Sequence, residues 1–384
     1  MTYLEVLLRP EMRIPLEAGA DGKRAPPDHF FAPGFRAPVP ESYAYLQQYV
    51  EETLPDESPL MYGMHPNAQL SLLTAQGETL FKTIMEVSGS SGGRGGGGGG
   101  SGGGTEERVR RGVQELLETL PEPFNMVEIE ARVKDRTPYV MVALQEAGRM
   151  NFLLSEMLQS LEELQLGLDG ALNMSERMEL LARGISTNTV PARWMGAMST
   201  RIQEVYSLST WVEDVRRRVD QLRAWTAGAV VTPHSVWLPG LFNPKAFITA
   251  VMQAYARAHK LPLDVMRFMT DVTAKTSAQV TEAAPEGCYV HGFVMEGARW
   301  DKESGAVADS HPNELHPTMP VILLRPVTAD QYNLDGYYEC PVYTNMQRAN
   351  NYAPLVSVFT LRTNEAPSKW VLASVCLLMQ DDLA

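Results

Sequence analysis

Residues 88 to 104 read SGSSGGRGGGGGGSGGG, and no other segment restricts the fold as much. Twelve of the chain's 30 glycines fall in these 17 positions and bring no side chain that could enter a core, so a flexible tether is expected. The tether divides the 384 residues into 87 before it and 280 after it. The chain is roughly two to three times the usual domain of about 100 to 200 residues, which leaves room for more than one core. The run also produces famous motifs by arithmetic, since Gly89-Ser90-Ser91-Gly92-Gly93 satisfies G-x-S-x-G. A nucleophile elbow needs a strand before it and a helix after it, and neither context is expected here. No G-x-x-x-x-G-K-[ST] occurs anywhere, so autonomous ATP hydrolysis is not expected.

Before the tether, Pro26, Pro27, Pro33, Pro38 and Pro40 surround Phe30, Phe31 and Phe35, a composition that favours extended chain pinned by aromatic anchors. The spacing of Tyr45, Leu46, Val50 and Leu54 predicts a short helix stopped by Pro55. A second helix is predicted over 68 to 87, carrying Leu70, Leu73, Leu80 and Ile84. Residues 1 to 87 hold six Lys+Arg and twelve Asp+Glu, hence 6 − 12 = −6, nearly half of the chain's net charge of −13.

After the tether, Thr105 is placed to cap a helix that opens on Glu106 and Glu107, with Val109, Val113, Leu116 and Leu120 on one face and Pro121 ending it. A longer helix is predicted from Pro138, with Leu154, Leu158, Leu161 and Leu168 on one face before Gly170, and a shorter one from Ser175 to Gly184. A fourth, from about Ser199 to Ala227, places Leu208, Val212, Val215, Val219 and Leu222 on a seam that needs a partner helix. A fifth starts with Asn243 as cap and Pro244 as its first residue, then repeats apolar residues at Phe247, Val251, Met252 and Tyr255. The period then changes to two. Strands are predicted at 288–295, 320–327, 337–343, 355–362 and 370–379, enough for a small sheet or barrel. Helices first and strands afterwards give an α+β class rather than a doubly wound sheet.

The balance of Lys+Arg 33 against Asp+Glu 46 lacks the positive field that phosphate binding needs, so nucleic acid and anionic membranes are not expected partners. Three cysteines, Cys288, Cys340 and Cys376, form no Cys-x-x-Cys pair, which points to free thiols in a reducing compartment. The N-terminus shows no signal pattern and the apolar runs fall well short of a bilayer span, so the chain is read as soluble and intracellular. His311, Glu314 and His316 are the residue types of a metal hydrolase. Their separation of five positions and the prolines at 312 and 317 do not fit the helical H-E-x-x-H arrangement, and a polar connecting loop is expected. His291 lies in an apolar strand and His65 in a turn, both with structural roles, while Asn67 is placed to cap the following helix. Arg216, Arg217 and Arg218 point in three directions on a helix and are expected on a solvated face or in ion pairs between domains. The 20 methionines read as core filler. No catalytic, cofactor-binding or metal residue is assigned.

The stretches DESPLMYGMHPNAQLSLLT (56–74), VWLPGLFNPKAFITAVMQAYAR (236–257), PLDV (262–265), GCYVHGFVMEGARWD (287–301) and YYECPVYTN (337–345) resemble, in order, the extreme C-terminal part of dynein heavy chains. MEGARWD and the glycine run look most like axonemal heavy chains of the outer-arm type. The resemblance implies that 1–87 is a helical lid of the sixth AAA+ module and 88–104 a linker. It makes 105–284 the helical part of the C-terminal domain and 285–384 a small antiparallel β-barrel. It further implies a non-catalytic segment that braces the AAA+ ring and tunes force and processivity in a ciliary, minus-end-directed microtubule motor. Trp237, Phe242, Phe247 and the seam Leu208 to Leu222 would hold the helices together and against the ring. ATP and Mg belong to the parent motor, not to this segment. The implied partners are the other ring modules and other dynein chains, with microtubules reached only through the parent stalk. The implied location is the cytoplasmic cytoskeleton of the axoneme. Met1 then falls inside the motor, so a fragment or a truncated gene model is expected. The alternative is a free-standing scaffold that binds an unrelated protein through exposed apolar stripes.

Overall fold

The computed structural model describes residues 42–52, 59, 66–91, 102–198, 207–228, 230, 233–344 and 355–379. The proline-rich segment 25–40, the turn at His65 and positions 92–101 of the glycine run lie outside the described residues.

Helix α1 (Tyr43–Glu52) and the longer α2 (Pro66–Ser91) precede the glycine run, and α3 (Gly102–Thr119) follows it. The expected tether is thus helical at both ends: α2 takes in Ser88 to Ser91, and α3 starts three residues before its expected cap, Thr105. Glycine adopts helical backbone angles at a cost of about 1 kcal/mol per residue relative to alanine, so a helix can run a few residues into the tract. The predicted face of α3 is correct, with Val109, Val113, Leu116 and Leu120 all buried.

The helical layer is organised by α5 (Pro138–Leu168), which follows the short α4 (Met126–Arg132). Thr137 caps α5 by accepting from the Val140 amide, and Pro138 occupies the first turn, where its missing N–H costs nothing. Ala143, Met150, Leu153, Leu154, Met157, Leu161 and Leu164 then recur at helical spacing and are fully buried. Packed on α5 are α3, α4, α6 (Glu176–Thr187), α7 (Ala192–Met198), α8 (Leu208–Thr226) and α9 (Pro244–His259). The seam Leu208, Val212, Val215, Val219 and Leu222 of α8 is buried as the spacing predicts. Trp194 of α7 stacks on Trp211 of α8 with ring centroids 6.0 Å apart, and its indole N–H donates to Ser160 of α5 at 2.9 Å.

Among the described residues, the strands form two four-stranded sheets and a ribbon. The first sheet has the order β1 (Ser235–Trp237), β3 (Cys288–His291), β7 (Ile322–Thr328), β2 (Met266–Val272). The second has the order β4 (Val294–Glu296), β10 (Cys376–Leu378), β8 (Tyr337–Tyr343), β9 (Leu355–Arg362), and β5 (Arg299–Asp301) pairs with β6 (Ala306–Ala308). The α+β class stands, but the expected antiparallel barrel does not. The β1–β3 and β8–β10 pairs are parallel, and the sheets do not close. Edge strands β2 and β9 meet through side chains instead of a ladder. The Thr270 amide donates to Thr360 Oγ1 at 2.8 Å, and the Thr270 hydroxyl donates to the Thr360 carbonyl at 2.6 Å.

Two predicted strands are interrupted for local reasons. The segment 288–295 breaks at Gly292, whose φ of +93° favours glycine and where a Cβ would stand 2.6 Å from Cδ1 of Trp237. The segment 370–379 begins inside a helix. Pro367 opens α10 (Pro367–Leu372), and the Trp370 indole donates to Thr363 Oγ1 at 2.7 Å, leaving only Cys376–Leu378 as strand. The first sheet also draws β1 and β2 from the mainly helical stretch before residue 285, where no strand is expected. The main core cluster runs from Val109 to Met379 and unites helices α3 to α10 with both sheets.

Candidate functional site

Several of the polar groups buried within this apolar mass lie where helix α8 meets the first sheet. Trp237 ends β1 and sits at the centre of this corner. Its backbone N–H donates to Gln221 Oε1 at 2.7 Å, and its carbonyl accepts from Gln221 Nε2 at 3.1 Å, so α8 holds the end of the strand by a two-way clasp. The guanidinium of Arg217 lies 4.8 Å and that of Arg218 5.2 Å from the indole centroid. Arg218 is itself buried, donating from Nε to Asp214 at 2.7 Å and from Nη1 to the Pro239 carbonyl at 2.8 Å. Arg216 pairs with Glu213 on the surface. The three arginines therefore do diverge, but Arg218 departs from the expected solvated face: its fan of donors is used inside the corner.

A second clasp joins α5 to α9. Glu146 is buried, and its two carboxylate oxygens accept the Phe242 amide at 2.6 Å and the Asn243 amide at 2.8 Å. Asn243 in turn caps α9 at the Ala246 amide, as its position before Pro244 predicts. Phe247 on α9 is fully buried between Trp225 (5.7 Å, edge to face) and Tyr139 (6.1 Å). Burial is the larger cause, and the Cys288 thiol the smaller, of the raised pKa of Tyr139.

The third contact ties the helix before the glycine run to the sheets. Asn67 does not cap α2: the helix starts at Pro66, so Asn67 already lies in its first turn. Its amide group reaches across the sequence to donate to the His311 carbonyl at 3.0 Å and the Glu314 carbonyl at 2.8 Å. The loop His311 to His316 is thus a connecting loop, as expected, that receives a helix. Among the described residues no group of three or more His, Cys, Asp or Glu is arranged to hold a metal. His316 titrates below the ordinary histidine range because burial disfavours its charged form, an effect only partly offset by Glu296.

His291 hydrogen-bonds through Nδ1 to the Ser235 hydroxyl at 2.8 Å, linking β3 to β1. All three cysteines are buried thiols, and burial pushes Cys288 up to about 12. No described helix is long and apolar enough to cross a membrane. The residues that sequence reasoning missed are Glu146, Asp214 and Gln221, which carry no motif. Glu146 and Gln221 show themselves only in three dimensions, as side chains aimed at backbone groups of a neighbouring element, and Asp214 only as the buried acceptor of Arg218 on its own helix.

These features belong to positions that match known proteins. Residues 74–379 match the family described as the C-terminal domain of the dynein heavy chain. The chain is 67% identical over 386 residues to the dynein alpha chain of the flagellar outer arm from Chlamydomonas reinhardtii, an alignment covering 100% of this chain and 8% of that protein. It is 43% identical to the ciliary dynein beta chain of Heliocidaris crassispina and 41% identical to dynein axonemal heavy chain 17 of Homo sapiens, over 99% of this chain and 8% of each relative. The chain spans about 8% of the length of these relatives. With a match that covers most of its residues and joins the helical layer to both sheets, the chain belongs to the family formed by the C-terminal domain of dynein heavy chains.

Proposed function

We propose that this chain is the non-catalytic C-terminal segment of an axonemal dynein heavy chain, in a minus-end-directed microtubule motor that drives ciliary and flagellar beating. In this reading residues 1–87 form the lid of the last AAA+ module and the residues after the glycine run brace the ring, tuning force and processivity. ATP with Mg acts in other modules of the parent chain, and microtubules are held by its stalk. The immediate partners are the remaining ring modules and other dynein chains, and the place of work is the axoneme.

One observation carries the reading: the main core cluster runs from α3 to β10, so the helices and sheets form one stiff body and not a string of modules. A brace must transmit strain without yielding, and close-packed interiors do so. The names of the relatives, all axonemal, ciliary or flagellar dynein chains, supply the rest. The test is a recombinant motor cut after Gly104. Reduced run length or stall force with nucleotide binding retained is expected. Unchanged ATPase, run length and stall force would overturn the proposal.

A further inference from the structure

Helix α2 is held differently from every helix around α5. Its apolar side chains Leu73, Leu80, Phe81 and Ile84 are 48% to 70% exposed. Among the described residues, it is tied to the sheets by a pair of hydrogen bonds from Asn67 to the 311–316 loop. Around that tie, Gln69 Oε1, Glu314 Oε2 and His316 Nδ1 are buried without a hydrogen-bond partner. A polar atom left unpaired in the interior costs more than a typical hydrogen bond contributes, so the docked state is penalised by the groups that form it. The loop adds strain of its own. His316 at φ +51° occupies the left-handed region, which glycine and asparagine adopt more readily.

The far side of the loop is firmly anchored. The Met295 amide donates to the Pro317 carbonyl at 2.9 Å and the Met319 amide to the Phe293 carbonyl at 2.8 Å, fastening it to β4 and the second sheet. We propose that the contact between Asn67 and the 311–316 loop is a releasable latch. Helix α2 lifts from the loop as a unit, the three polar side chains regain water, and the loop relaxes, while the core from Val109 to Met379 stays folded. The device concerns contacts within this chain and goes beyond the motor reading. In that reading it would let the lid shift against the brace.

Amide hydrogen exchange on the full chain tests the latch whether or not the motor reading holds. In the unaltered protein the amides of α2 after its first turn should exchange at least about a hundredfold faster than those of α5, because local opening does not require global unfolding. Asn67→Ala should quicken α2 exchange further and leave α5 and β8 unchanged. Glu314→Met removes one unpaired oxygen at similar volume but keeps the backbone carbonyl that Asn67 uses. It should slow α2 exchange by about tenfold. Protection of α5 and β8 confirms that each variant is folded. Exchange of α2 in step with α5 in the unaltered protein overturns the latch, as does Glu314→Met that leaves α2 exchange unchanged or speeds it.

Discussion

Arg218 and Asp214, one helical turn apart on α8, form an ion pair at 2.7 Å with side chains only 8% and 4% exposed. At the surface such a pair would contribute a few tenths of a kcal/mol. Inside the Trp237 corner its weight lies in what happens when one partner is lost, because the other remains a buried, uncompensated charge. Arg218→Met should therefore lower unfolding free energy by about 3 to 5 kcal/mol, and Asp214→Leu by a similar amount. The double variant should recover most of the loss. Denaturation in urea of the four proteins gives the cycle, and losses that simply add would show that the two side chains act independently.

Glu146 makes a different prediction, since its partners are backbone amides and cannot be mutated away. Glu146→Leu leaves the Phe242 and Asn243 amides unpaired at the entrance to α9, and should cost about 2 to 4 kcal/mol. Glu146→Gln keeps one acceptor oxygen and should cost about half as much. Equal costs for the two variants, measured by urea unfolding, would mean that the pair of amide contacts is not what holds α9.

The cysteines should be silent in the folded protein. Burial raises the thiol pKa of Cys288 to about 12 and that of Cys340 well upward, and Cys376 is 1% exposed. Because the folded pKa lies above the unfolded one, the stabilisation linked to the neutral thiol is complete below about pH 8.5 and is lost as pH rises toward 12. At pH 8 a thiol with a pKa of about 12 is ionised roughly once in ten thousand molecules. A colorimetric disulfide reagent at pH 8 should therefore release no colour from the native chain and three equivalents after denaturation. Rapid native reaction at any of the three would contradict this.

How far these features can be read from sequence depends on their range. The seam Leu208 to Leu222 is legible because helical burial repeats locally, and the cap at Asn243 because it needs only the next three residues. Gly292 shows its strand-breaking role only once Trp237 is known to lie over it, from 55 positions earlier. Pairing of β8 with β10 in parallel and of β2 with β7 in antiparallel fashion is set by contacts between distant segments, which alternation within each strand does not encode. Arg218 was hidden for a simpler reason. It adjoins Val219 at the border of the buried arc, where one strong acceptor decides whether a guanidinium turns inward. Glu146 has no local mark at all, because the amides it serves are nearly a hundred residues away.

Among the described residues, His316 contributes to the acid side of the stability curve. Burial holds the pKa of His316 below the ordinary value of about 6.5, so in the folded protein it binds fewer protons than in the unfolded chain. By linkage its contribution is full above pH 6.5 and is lost as pH falls through that value, levelling off once the folded imidazole is itself charged. Asp301 acts lower. Hydrogen bonds from the Ser304 hydroxyl and amide, with Arg299, hold its carboxyl at about 2, so its contribution is present above about pH 4 and lost only below it. Between pH 7.5 and 5.5 the two effects are therefore separate. Thermal or urea midpoints should fall over this range in the unaltered chain. The fall should be smaller in His316→Asn, which suits the left-handed backbone at this position and carries no titrating group. An unchanged slope in His316→Asn would place the proton uptake elsewhere.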